Sequence, residues 1–189
     1  MMTSESIPEI ASSEDTLYEV LSRRPTRGNL PGDLTGLFAV WDSLRDGAFA
    51  PAWSAFDMDA VPPRLVPWFA VVEVVRDPLD FVYRFWGMER TRLQGKDYTG
   101  RSVRDFRPIS IANKAFAEYA RVVDEKAPIY LPTFGMTDQK AEPFSYHLLR
   151  LPFSNDGLTV DHILGVGIYD GRAERRARAF YAAGSDGNA

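Results

Sequence analysis

The stretch HLLRLPFSNDGLTVDHILGVGIYD, residues 147–170, decides how the rest of the chain reads. Two β-rich runs flank Ser154-Asn155-Asp156-Gly157, and Asp-Gly tolerates the positive φ that a hairpin connection demands. A period of two along 162–169 puts His162, Leu164, Val166 and Ile168 on one face, and Ile163, Gly165, Gly167 and Tyr169 on the other. Both faces are too apolar for water, so the sheet is covered on both sides. Gly165 and Gly167 share a face, where their missing side chains leave either a cavity or volume filled by neighbours such as Phe116, Tyr119 or Tyr146.

Outward from there, Ile129–Thr137 and Phe144–Phe153 are strand-like runs joined by Asp138-Gln139-Lys140, and residues 70–76 and 80–86 form an earlier pair across Asp77-Pro78-Leu79. Between the two groups, 88–94 reads as a short helix closed by Gly95, and Thr99-Gly100 marks a break. A longer helix from Ser110 then places Ala112, Ala115, Phe116, Tyr119, Ala120 and Val123 on one face and ends near Pro128. The order β-β-α-α-β-β-β predicts an α+β fold, a five-stranded antiparallel sheet with helices on one face.

Upstream, Leu34, Leu37, Phe38, Trp41 and Leu44 recur at helical spacing after Asp33, and Gly47 stops the helix. This amphipathic helix is expected to cap the other sheet face. Leu37, Phe38, Trp41 and Leu44 are also read as the contact through which a homodimer would form. Residues 48–69, with four prolines and two tryptophans, read as irregular chain pinned onto apolar surface. Residues 1–32 read as a mobile arm carrying a short helix, capped at Ser12 or Ser13, with Leu17, Val20 and Leu21 on one side and its end before Pro25. Residues 171–189 read as a basic helix and tail.

Composition bounds the function. A 45% hydrophobic and 13% aromatic chain of 189 residues is a packed domain with appendages. The absence of cysteine removes disulfides, thiolate metal sites, cysteine nucleophiles and cysteine-attached chromophores, and fits a cytoplasmic address. No run approaches the ~20 apolar residues of a membrane span, and a net charge of −4 argues against a nucleic-acid binder.

The chain has no nucleophile elbow, P-loop or dinucleotide fingerprint. His147 and His162 are its two histidines, and two imidazoles do not close a zinc site, so no metal is assigned. The enzyme alternative is a small α+β cone-fold lyase or isomerase using His147 or Tyr146 with Asp161 as an acid–base pair. Arg150 shares a strand face with Tyr146 and Leu148. It could hold a ligand carboxylate, or reach solvent as an ordinary strand-end arginine. Arg84 could tie down the N-terminal cap by pairing Asp57 or Asp59.

Read in order, WDSLRDGAFAPAWSAFDMD (41–59), WFAVVEV (68–74) and YRFWGMERTRLQGKDYTGRSVRDF (83–106), followed by the closing strands, resemble a proteobacterial PAS-like family of stand-alone single-domain proteins. The carrying residues are Trp41, Pro51, Asp57 and Asp59, then Tyr83-Arg84 with Gly87, then Gly95 with Thr99-Gly100. Met88 departs from the pattern, standing where relatives carry a small hydroxyl residue. The resemblance covers about 34–170 and implies a PAS domain over 33–170, including the cap helix. It also implies a non-catalytic sensory or regulatory role through a small ligand, a signalling partner such as a histidine kinase, or dimerisation. Tyr83, Phe106, Phe116, Tyr119, Phe134, Tyr146, Arg150, Gly165 and Gly167 are the residues that this resemblance assigns to ligand binding. It leaves haem or flavin open as a cofactor and supplies no residue that supports either.

Overall fold

The computed structural model describes residues 9–13, 16–137 and 142–185. Its strands are β1 (Glu9–Ser13), β2 (Thr16–Val20), β3 (Phe69–Val75), β4 (Asp80–Trp86), β5 (Ile129–Thr137), β6 (Glu142–Phe153) and β7 (His162–Tyr169). Its α-helices are α1 (Asp33–Leu44), α2 (Met88–Gln94), α3 (Ile109–Glu125) and α4 (Gly171–Ser185). The strands form one antiparallel sheet in the order β1-β2-β5-β6-β7-β3-β4. The five expected strands are its body, and β1 and β2 extend it at the β5 edge.

That extension corrects the reading of the N-terminal segment. Residues 16–20 are not a helix but a strand, with Thr16 opposite Thr137 and Val20 opposite Thr133. The pairing runs on irregularly, through Leu21 N to Pro132 O at 3.0 Å and the bridge between Arg23 and Tyr130. Leu17, Val20 and Leu21 have helical spacing, but TLYEV is also rich in strand formers, and an open sheet edge decided between them. Residues 1–8 of the expected mobile arm, residues 186–189 of the tail and the 138–140 turn lie outside the described residues.

Alternation in β7 sorts the core into two layers. On the outer face, Leu164 and Val166 join Leu149, Leu151 and Phe153 beneath Leu34, Leu37, Phe38 and Trp41 of α1. Trp41 Nε1 donates to the Pro152 carbonyl at 2.8 Å, fixing the helix to β6. The 48–69 segment packs on the same layer through Ala50, Val61 and Leu65, in three 3-10 turns at Trp53–Ala55, Met58–Ala60 and Pro63–Trp68. On the inner face, Ile163 packs with Phe81, Tyr83, Trp86, Tyr119 and Val122 under α3. The cap helix thus lies where its amphipathic stripe places it. Leu37, Phe38 and Trp41 are buried in their own sheet and Leu44 is half-buried, so the stripe is not an open surface for a second copy. Arg84 pairs Glu73 across the β3–β4 hairpin at 2.6 Å rather than Asp57 or Asp59, because its side of the sheet edge faces solvent.

Candidate functional site

A cavity of about 300 Å³ lies between the inner sheet face, α2, α3 and α4. The walls from β6, α2 and α3 follow from periodicity, and a β-bulge at Arg84 brings Trp86 of β4 to the same face as Tyr83. Tyr146, Leu148 and Arg150 alternate from β6, and Tyr83 and Trp86 come from β4. Ile111, Ala115, Glu118 and Tyr119 lie along one face of α3, Arg90 and Gln94 along one face of α2. Ala173, Ala177 and Tyr181 of α4 close the remaining side.

The position of α4 is set by Asp170. Its carboxylate accepts from Arg172 N at 2.8 Å and Ala173 N at 2.7 Å, and from Ser145 N and Oγ on β6 at 2.5 and 3.0 Å. One side chain therefore caps the helix and ties it to the sheet. Burial pushes the Asp170 carboxyl up, but these donors outweigh it and hold the group below its ordinary value. Ala173 and Ala177, one turn apart, let α4 come close to the sheet. α4 is thus part of the cavity wall as well as a basic helix.

Arg150 is the most constrained polar group in the site. Its Nη2 donates to Glu118 Oε2 at 2.7 Å and its Nε to the same oxygen at 3.3 Å, while its guanidinium lies 4.7 Å from the centre of the Tyr119 ring. It is buried, not a strand-end arginine reaching solvent. Burial opposes its charge; Tyr119 and Glu118 outweigh that and raise its already high pKa. Burial also raises the Tyr83 phenol well above its usual value, so the hydroxyl stays protonated beside Tyr119.

The glycines have a definite use. A Cβ on Gly165 would strike Arg150 Nη1 and come within 3.4 Å of the Tyr119 hydroxyl, and one on Gly167 would lie 2.9 Å from Leu148 Cδ2 and Tyr169 Cε2. The groove is therefore filled by Arg150 and Tyr169, and neither glycine lines the cavity. The absent side chains leave the room that the Arg150 guanidinium and the Tyr169 ring occupy.

Of the other residues assigned to ligand binding, Tyr83, Phe106, Tyr119, Tyr146 and Arg150 line the cavity together. Phe116 instead packs edge-on against Phe81, and Phe134 lies 46% exposed against His147 on the outer face. Sequence reasoning missed Trp86, Arg90 and Gln94, although their spacing of four puts them on one line as β4 passes into α2. It also missed Glu118, whose partner Arg150 is 32 residues away.

The enzyme alternative loses its geometry. Tyr146 faces the cavity, whereas His147 points the other way, its Nδ1 2.7 Å from the Tyr130 hydroxyl. Asp161 pairs with His162 at 2.6 Å at the far end of β7, where His162 stacks on Trp53. Neither histidine reaches the cavity, so neither could ligate a haem iron there. Among the described residues no group of three His, Cys, Asp or Glu side chains is placed to hold a metal ion, and no helix is long and apolar enough to cross a membrane.

Burial lowers the His147 pKa from its ordinary value of 6.5 against the opposing charge of Asp170. The folded state therefore binds this proton less readily than the unfolded chain does. Stability should be level above pH 6.5, then fall as the pH drops towards the depressed folded value and level off below it. A second loss begins below about pH 3.8 and deepens as the pH falls towards the depressed folded values of the hydrogen-bonded carboxylates of Asp156 and Asp170. Urea midpoints from pH 8 to 5 should show the first loss, and His147→Gln should abolish it; an unchanged profile in that variant would assign the loss elsewhere.

A family model described as a PAS domain matches residues 32–168. The chain belongs to the PAS domain family. None of the curated proteins compared matches this sequence. Among solved structures, the chain resembles one titled for a flavin analogue and the light-oxygen-voltage domain mechanism, at 16% identity and a TM-score of 0.38, covering 62% of this chain and 86% of that one. It also resembles an RNA-binding light-oxygen-voltage receptor at 16% identity and a TM-score of 0.42, covering 94% of this chain but 43% of the receptor. The five-stranded body of the sheet, the cap helix, α2 and α3 fall within the PAS match, whereas β1, β2 and α4 lie beyond it. A PAS domain carries a sensory or regulatory role. The cavity of this one is closed by a helix outside the matched domain.

Proposed function

We propose that this PAS domain is a non-catalytic sensor in which occupancy of the inner cavity sets how firmly α4 is docked, and that a signalling partner such as a histidine kinase, or a second copy, reads the state of α4. The observation that carries this reading is that Ala173, Ala177 and Tyr181 of α4 are both cavity wall and the inner face of an otherwise surface helix. A bound molecule would touch α4 directly, so any contact it makes there shifts the docking equilibrium by the difference in its affinity for the two states. The outer face of α4 carries exposed Arg172, Arg175 and Arg178, the last paired with Glu174 at 2.7 Å, while half-exposed Phe180 lies at the cavity side of the helix. That face suits an acidic partner surface.

Hydrogen exchange of α4 amides, measured on the protein as purified and after refolding from denaturant with small molecules removed, tests the coupling. Mass spectrometry of the denatured supernatant should identify a released molecule, and its removal should accelerate exchange in α4 while the β6–β7 amides stay protected. Retention of a molecule whose removal leaves α4 exchange unchanged would sink the coupling.

A further inference from the structure

Among the described residues, five buried side-chain atoms have no hydrogen-bond partner: Trp86 Nε1, Arg90 Nη2, Gln94 Oε1, Thr133 Oγ1 and Arg150 Nη1. All but Thr133 belong to residues that line the cavity. Arg90 and Arg150 are 7% and 5% exposed. Such groups are rarely left unpaired in a folded protein, and a cluster of them around one void implies an occupant.

The charges define the occupant further. Each arginine is held on one side and left with an unpaired, enclosed nitrogen on the other. Arg90 donates from Nε to the Trp68 carbonyl at 2.7 Å and lies 5.3 Å from the centre of the Trp86 ring, which leaves Nη2 unpaired. Arg150 gives Nε and Nη2 to Glu118 and leaves Nη1. A guanidinium cannot shed its proton. Glu118 balances Arg150, while among the described residues no carboxylate is paired with Arg90, so one buried positive charge is left uncompensated, and an uncompensated buried charge is costly. Lys114 and Arg176 on the rim add to the positive field, Arg176 lying 4.8 Å from the centre of the Phe144 ring.

We infer that the cavity takes a small monocarboxylate with a flat apolar body, its carboxylate received by the guanidiniums of the cavity-lining Arg90 and Arg150 together with Trp86 Nε1. The inference rests on the cavity being a sensor's ligand site. A carboxylate supplies the single negative charge that is missing and the planar acceptor pair that suits guanidinium donors. A phosphate monoester, at about −1.5 to −2, would overshoot the deficit. The rings of Tyr83, Phe106 and Tyr146 receive the apolar body. Gln94 Oε1 remains as an acceptor for a hydroxyl or N–H on the ligand, beside the Tyr181 hydroxyl, with which Gln94 is hydrogen-bonded.

The probe is 4-hydroxyphenylacetate, titrated calorimetrically into the full chain against its neutral amide, 4-hydroxyphenylacetamide, and against inorganic phosphate. The acid should bind at least tenfold more tightly than the amide, as expected when charge-assisted hydrogen bonds are at stake. Arg90→Gln should bring the acid down to the level of the amide. Glu118→Gln, which deletes the internal counter-charge, should tighten acid binding instead; this gain cannot come from a misfolded protein. Equal binding of acid and amide would overturn the anion assignment while leaving the cavity as a ligand site. Phosphate binding tighter than the acid would overturn the carboxylate in favour of a phosphoryl group. Weaker acid binding in Glu118→Gln would overturn the charge argument. No binding of acid or amide would remove both this inference and the ligand-site reading beneath it.

Discussion

Replacing Trp41 with alanine should cost the fold about 3–5 kcal/mol, the range seen for large aromatic truncations in cores. Trp41 is among the largest fully enclosed side chains, stacked at 5.7 Å on Phe38 and covered by the Arg45 guanidinium at 5.7 Å. Its loss leaves a ring-sized void under α1 and deprives the Pro152 carbonyl of its 2.8 Å donor. Leu34, Leu37 and Phe38 keep α1 docked on the same layer, so the loss is that of the ring and its hydrogen bond rather than of the whole cap. For a domain of this size a melting temperature lower by roughly 10 °C is expected. Trp41→Phe separates the two contributions, since it keeps most of the apolar contact and loses only the hydrogen bond, worth about 1 kcal/mol. An unchanged melting temperature in Trp41→Ala would show that α1 does not cover the sheet. Because Leu37, Phe38 and Trp41 face inward, the oligomeric state should be the same in wild type and variant wherever both are folded.

The parts of the fold that were legible in the sequence are those whose signal is local and periodic. β7 declared its two faces through alternation, and α1 and α3 declared theirs through three-and-four spacing, because in each case one face had to be buried. The N-terminal segment failed for the opposite reason. Leu17, Val20 and Leu21 satisfy helical spacing, while their conformation is set by the Thr133–Thr137 edge more than a hundred residues away. The site shows the same division. Tyr146 and Arg150 were legible as sharing a strand face, and it was the family resemblance that turned this face towards a pocket. Glu118 was not, because nothing near it in sequence shows that a buried arginine waits across the sheet. The two glycines were visible as an anomaly, but their meaning depended on which large side chains would lie over them. The structure places Arg150 and Tyr169 there, so the void lies beside the glycines, towards α3 and α4, rather than on top of them.

The glycine with the largest expected effect is Gly87, in the Tyr83-Arg84 motif that carries the family resemblance. Its backbone, at φ −64° and ψ 150°, is open to any residue, so conformational freedom is not why it is glycine. The reason is contact: an added Cβ would lie 2.5 Å from the Pro67 carbonyl carbon, nearer still to its oxygen, and 3.1 Å from the Phe69 carbonyl oxygen. These are backbone atoms, and the strand that follows is fixed by Gly87 N donating to Phe69 O at 2.8 Å and by Ala70 pairing with Trp86. No side chain can swing aside to make room. Gly87→Ala should therefore cost more than about 3 kcal/mol, above the ordinary overpacking range. Gly95, which closes α2, is the control, because its φ of 75° demands glycine although nothing lies within 4 Å of its Cβ position. Gly95→Ala should lose only the backbone preference, about 1 kcal/mol. Paired thermal melts should thus separate the two glycines clearly, and similar losses in the two variants would overturn the close-contact explanation. The same contact joins fold to site. Gly87 sits at the entrance to α2, whose Arg90 reaches back to the Trp68 carbonyl in the very segment that Gly87 abuts. Pushing the two backbones apart moves the Arg90 guanidinium relative to Arg150. Any Gly87→Ala protein that remains folded at low temperature should therefore also lose its preference for 4-hydroxyphenylacetate over the amide.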